Sequence, residues 1–255
     1  MTAAAQHSVY VYGVVSAAEC GSLSLTGVEG AEVRKVEHAG LVALVSAVSG
    51  GSLTAAKEVR AHWHVLDEAC GTTTVLPVRF GTVMESDDAV RAELLEPNAE
   101  RLELLLREVS GRVQLNVKGE YDEERLMREV VMGSAAVAEL RGRLKDLPGD
   151  AGYYERIRLG ELVAAEVGNR RATDTRLALE TLEPLSLAVK EEELRQADSA
   201  FNLAILVDRD GLDAFGRGVS GLAKQFGERL ELHYVGPLPP YSFADVELTS
   251  EAAWA

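Results

Sequence analysis

One stretch restricts the fold of this chain more than any other. From residue 112 to residue 236 the hydrophobic pattern runs strand, helices, strand, strand, helix, strand. RVQLNVKGEY (112–121) alternates apolar and polar residues as a half-buried strand does. Asp122 is placed to cap a helix whose apolar face is Leu126, Val130, Gly133, Val137, Leu140 and Leu144. Those intervals of three and four last under three heptads, which suits an intramolecular face better than a coiled coil. Leu147-Pro148-Gly149-Asp150 reads as a turn, and a long charged helix follows over about 153–182, ended by Pro184. LSLAVKEE (185–192) and SAFNLAILVDRD (199–210) read as strands, LDAFGRGVSGLAKQFGERL (212–230) as a helix and LELHYVG (230–236) as a closing strand. This is the βαββαβ order of a ferredoxin-like domain with extra helices after its first strand.

The residues before it predict a separate α+β domain. SVYVYGVV (8–15) is rich in strand formers, and 32–48 reads as two strands around His38-Ala39-Gly40, a short turn. Val59, Trp63, Leu66 and Cys70 recur on one helical face, with Gly71 placed to end that helix. TVLPVRFGTVM (74–84) carries Pro77 and so belongs at a sheet edge or bulge. Ser86 can cap a further helix, Pro97 marks a break, and Leu102, Leu105, Leu106 and Val109 form a stripe that stops before Ser110-Gly111. The expected organisation is α+β throughout, with an N-terminal domain over 1–110, the ferredoxin-like domain over 111–236 and a C-terminal tail over 237–255.

Charge narrows the function. Lys+Arg 26 against Asp+Glu 41 leaves a formal net charge of −15, which opposes non-specific attachment to nucleic-acid backbones and anionic membranes. The apolar run AGLVALVSAV (39–48) is too short to span a bilayer, and MTAAAQH has no basic region of a secretory signal. The two cysteines, Cys20 and Cys70, are read as reduced, buried thiols, and the chain as cytoplasmic.

Motifs of catalysis and cofactor binding fail on geometry. Gly216-Arg217-Gly218-Val219-Ser220-Gly221 matches a dinucleotide fingerprint, but Phe215, Val219, Leu222 and Phe226 keep helical spacing straight through it. Its N–H groups are therefore expected to be spent inside the helix, and the glycines to serve close packing. His62 and His64 stand two apart on a helix and point away from each other, so no metal is expected there. The runs Asp122-Glu123-Glu124, Glu191-Glu192-Glu193 and Asp208-Arg209-Asp210 read as solvated acids. No catalytic residue, metal or cofactor is assigned. Arg79, among apolar neighbours, reads either as half of a structural ion pair or as an anchor for a partner protein.

VGPLPPYSFAD (235–245) leaves the closing strand with three of the seven prolines of the chain. Such a segment cannot extend a helix or fill a central strand, so it is an exposed recognition motif or a strap held on the protein itself. Together with YVYGVV (10–15), VLPVRFGTV (75–83) and GRVQLNVKGEYDEE (111–124), it resembles the gas vesicle protein L/F family (GvpL/GvpF) over nearly the whole chain. The chain departs from the family pattern at Gln114-Leu115-Asn116 and Gly119-Glu120-Tyr121, expected on the surface of the middle strand. The resemblance implies two α+β domains with a tail packed between them, and an accessory protein rather than an enzyme. It implies partners among gas vesicle proteins: the small hydrophobic shell protein (GvpA), bound to assist nucleation and prevent aggregation, and other accessory proteins. On that picture Pro237, Leu238, Pro239, Pro240, Tyr241 and Phe243 form the strap, and the partner contact falls either at Pro77, Arg79 and Phe80 or on the exposed faces of the helices over 122–146 and 153–182. The alternative is a small-molecule sensor or enzyme built on the ferredoxin-like domain, which requires a deep pocket with convergent polar groups.

Overall fold

The computed structural model describes residues 8–21, 24–49, 53, 55–145 and 152–244. The turn expected at 147–150 lies outside them. Contacts divide the chain into two units, Met1–Gln114 with Pro237–Ala255, and Leu115–Gly236.

In the first unit, β1 (Ser8–Ser16), β2 (Arg34–His38), β3 (Leu41–Val48), β4 (Val75–Pro77) and β5 (Val83–Met84) form one sheet. Its order is β2-β3-β1-β4, with β5 also on β1, and β1 is antiparallel to β3, β4 and β5. The β2–β3 turn is tight because Ala39 and Gly40 both take positive φ, 46° and 83°. Pro77 lies on the edge strand, as a residue without an N–H must. Register slips between Val11 and Gly13, so Tyr12 is the extra residue of a bulge. Gly13 is required there, since a Cβ would sit 2.7 Å from the Leu76 carbonyl oxygen.

Around the sheet pack α1 (Ala56–Thr72), a turn of helix α2 (Asp87–Ala89) that widens into a π-helical segment (Val90–Leu95), and α3 (Ala99–Glu108). Ser86 caps α2 by accepting the Ala89 N–H at 3.1 Å. One core joins Val9, Val11 and Val14 of β1 to Leu41, Ala43 and Val45 of β3, with Leu94, Leu102 and Leu106 of the helices above. Helix α1 departs from the sequence reading. It runs through Gly71 to Thr72, and its buried face is His62, Val65, Leu66, Ala69 and Cys70, with Trp63 38% exposed. The apolar spacing had suggested a face about a quarter-turn away, because histidine was not counted as a core residue. Cys20 is half-buried rather than buried, and neither cysteine forms a disulfide.

The second unit contains most of β6 (Arg112–Tyr121), α4 (Glu123–Gly133), α5 (Ala135–Lys145), α6 (Tyr153–Leu182), β7 (Ala188–Glu191), β8 (Ser199–Asp208), α7 (Leu212–Phe226) and most of β9 (Leu230–Leu238). The sheet order is β7-β8-β6-β9, and the element order is the βαββαβ series with helices inserted after the first strand. β9 is an edge strand, which lets Pro237 and Leu238 remain in it beyond the expected end at Gly236. The single helix expected over 122–144 is two, because Ser134 leaves helical geometry at φ −114°, ψ 107°. Asp122 caps the first of them through the Arg125 N–H at 2.9 Å. Gly133 is exposed, while Leu126, Val130, Val137 and Leu140 are buried as expected.

Two further expectations change. Gln114 and Gly119 are buried, not on the strand surface, and a Cβ on Gly119 would meet the Phe201 ring at 2.8 Å. The fingerprint-like glycines lie inside α7, with Phe215, Val219, Leu222 and Phe226 buried straight through them. No helix of the described residues is long and apolar enough to cross a membrane.

Candidate functional site

A buried polar constellation of the first unit is built from one strand, one helix and the returning tail. Tyr10 and Tyr12 stand two apart on β1 and are both fully buried. Their rings meet His62 of α1 at centroid distances of 5.7 and 5.8 Å. The Tyr12 hydroxyl accepts the Val28 N–H at 2.7 Å and lies 2.7 Å from Ser46 Oγ. The Tyr10 hydroxyl accepts the Gly81 N–H at 3.0 Å and lies 2.9 Å from His62 Nδ1. His62 Nε2 is 3.1 Å from the hydroxyl of Tyr241. One assignment satisfies both ring nitrogens: Tyr10 donates to Nδ1, and Nε2–H donates to Tyr241.

That chain brings together two groups of residues separated by about 160 positions in the sequence. At one end is the turn Arg79–Thr82, closed by the Thr82 hydroxyl on the Arg79 carbonyl at 2.8 Å and by Gly81 at φ +90°. At the other is the tail. Tyr241 packs on Trp63 with ring centroids 4.6 Å apart. Ser242 is held by Gln114, whose carbonyl accepts its N–H at 2.8 Å and whose amide donates to its hydroxyl at 3.2 Å. Beyond it Ala244 is buried in the core already described, and its N–H donates to the Pro240 carbonyl at 2.8 Å.

Desolvation sets the electrostatics. His62 is pushed down to about 4 by burial, so it is neutral at physiological pH. Burial also raises the hydroxyls of Tyr10, Tyr12 and Tyr241 above the ordinary tyrosine value. A neutral imidazole bonded at both nitrogens has no free lone pair for a substrate. The network fastens chain segments to one another.

The expected residues divide as follows. Phe80 is half-buried, its ring 5.4 Å from His62 and 6.2 Å from Tyr10. Pro77 is buried in β4, opposite Gly13, so it can serve a surface only by directing the loop that follows. Arg79 is exposed, and among the described residues no carboxylate lies within ion-pair distance of it. In the tail, Pro239 and Pro240 are buried, Leu238, Tyr241 and Phe243 half-buried and Pro237 exposed. Sequence reasoning missed His62, Trp63, Tyr10 and Gln114 as holders of the tail. The one legible signal was His62 itself, a histidine on an otherwise apolar helix face, which was weighed only as a metal ligand.

Comparison with known proteins follows from this geometry. The family model described as "Gas vesicle synthesis protein GvpL/GvpF" matches residues 8–245. Gas vesicle protein F of Streptomyces sp. (strain CB03234) is 35% identical over 243 residues, covering 93% of this chain and 100% of that one. The crystal structure of GvpF from Anabaena sp. PCC7120 superposes with a TM-score of 0.83 at 24% identity, over 94% of this chain and 99% of that one. GvpF from Microcystis aeruginosa gives a TM-score of 0.79 at 25% identity, with the same coverage.

Proposed function

Since the chain belongs to the gas vesicle synthesis protein GvpL/GvpF family, we propose that this accessory protein binds the small hydrophobic shell protein, keeps it from aggregating and assists nucleation and assembly of the vesicle. The observation that carries the reading is the match of the family model across residues 8–245, which takes in both units and the tail. A shell subunit that must not self-associate early presents apolar surface, and a carrier has to cover that surface transiently. The contact is assigned to the turn carrying Arg79 and Phe80, positioned by Pro77. It joins an exposed guanidinium to a half-buried ring on the edge of a sheet. The strap supports it from behind, because Tyr241 and Gly81 bond to opposite ends of the Tyr10–His62 pair. The net charge of −15 keeps the carrier soluble and steers it towards basic groups on the shell protein. Other accessory proteins of the vesicle are further partners on this reading, and no catalytic step is part of it.

The test is retention of purified shell protein on the immobilised chain. Wild type is expected to retain it, and Arg79→Ala with Phe80→Ser to reduce retention at least about tenfold, the scale of a lost anchor residue. Absence of retention by the wild type removes the proposal. Undiminished retention by the variant moves the contact away from this turn.

A further inference from the structure

The loop between β4 and β5 is tied to β1 at both ends. The Val78 N–H donates to the Tyr12 carbonyl at 2.9 Å, and the Val11 N–H to the Thr82 carbonyl at 3.0 Å. Between these points the apex of the Arg79–Thr82 turn is tied to the strand by the Gly81 N–H, which donates to the Tyr10 hydroxyl at 3.0 Å. A Cβ added at Gly81 would meet no atom, so side-chain packing does not confine the apex at that residue.

The Tyr10 oxygen carries one hydrogen and two lone pairs. The Gly81 N–H takes a lone pair, and Tyr10 is wholly buried, so its hydrogen needs an acceptor inside the protein. His62 Nδ1, 2.9 Å away, is that acceptor as long as the ring carries its single proton on Nε2. A doubly protonated ring presents N–H groups at both nitrogens. Nδ1–H then faces Tyr10 as a donor, and the hydroxyl hydrogen must turn to the side already taken by the Gly81 N–H. Two donors cannot share that position, and a buried donor left unpaired is costly. The other nitrogen behaves differently, because Nε2–H donates to the Tyr241 hydroxyl in both states.

The ionisable groups around this centre are Tyr10 and Tyr12 from β1, Glu58 and Asp67 from α1 and Tyr241 from the tail. Glu58 is engaged by the Glu29 N–H and by Lys57. Among the described residues no carboxylate lies within ion-pair distance of His62. A proton on the ring therefore has no adjacent counter-charge, and burial keeps the ring neutral down to about pH 4.

We infer that the Tyr10–His62 pair is an acid-operated switch on the Arg79–Thr82 turn: proton uptake by His62 reverses the bond between the two side chains and frees the apex of the turn, while the tail stays fastened. On the proposed reading that this turn carries the partner contact, acidification loosens that contact without unfolding the protein.

Amide hydrogen exchange of the full chain, expressed as protection relative to free-peptide rates at each pH, tests this alongside the NMR shifts of the His62 ring nitrogens. Across the titration of His62, protection of Gly81 is expected to fall at least about tenfold, the scale of one lost hydrogen bond. Protection of Ser242, whose N–H is held by Gln114, should not change. Tyr10→Phe removes the acceptor of the Gly81 N–H and should give at neutral pH the low protection that wild type shows only in acid. His62→Gln, which does not titrate, should keep protection of Gly81 independent of pH. Unchanged protection of Gly81 while His62 titrates overturns the inference. An equal loss at Gly81 and Ser242 does so too, since it marks release of the tail or general unfolding. A response of Gly81 that survives in His62→Gln assigns the effect to another group and has the same consequence. No shell protein enters the experiment, so its failure leaves the proposed function untouched.

Discussion

His62 links stability to pH. Burial lowers its pKa from the ordinary 6.5 to about 4, so between those values the unfolded chain takes up a proton that the folded chain refuses. Stability therefore falls as pH drops through that window and is complete above it. The loss expected between pH 6.5 and 4 is on the order of 2–3 kcal/mol. Urea unfolding at a series of pH values should show it, and His62→Phe should flatten that part of the profile. An equal slope in the variant would assign the loss to other groups. Legibility at this scale was uneven. The caps at Ser86 and Asp122 could be read directly, since each needs only its own oxygen and an N–H three residues on. Gln114 could not, because its partner Ser242 stands 128 residues away.

Among the elements, α6 shows how one buried charge can hold a long helix. Asp174 is 3% exposed, accepts the Tyr121 hydroxyl at 2.8 Å and pairs with Arg229 at 2.9 Å. It ties α6 to the end of β6 and to the segment entering β9. Replacing it with asparagine leaves the Arg229 guanidinium, itself mostly buried, with only the longer contact to Glu129 at 3.9 Å. Asp174→Asn is expected to destabilise by about 2–4 kcal/mol, read as a lower urea midpoint. Glu180→Gln, on the exposed pair with Arg176, should change it by less than about 1 kcal/mol. Helix α6 was legible from end to end because its pattern is long and Pro184 stops it. The break at Ser134 was not, since the residues on either side keep the same three-and-four spacing and no proline marks it.

For the molecule as a whole, the path of the chain matters most: it leaves the first unit after Gln114 and rejoins it at Pro237. The tail is held there by Trp63, His62 and Gln114. Tyr241→Ala with Phe243→Ala is expected to remove about 2–4 kcal/mol, since both side chains are half-buried. A fall in Tm of roughly 5–10 °C would follow, and an unchanged Tm would mean that the tail contributes nothing to folding. The sequence by itself determined the fold class, the order of strands and helices, the helical setting of the glycines in α7 and the resemblance to one family. All of these are written in short windows as spacing, capping and proline placement. Only the tertiary structure decided that His62 is a core residue, that Arg79 is exposed while Pro77 is buried, and that Tyr153 and Ile157 of α6 are exposed. Each of those depends on which distant segment arrives beside the residue, and periodicity along the chain carries no record of that.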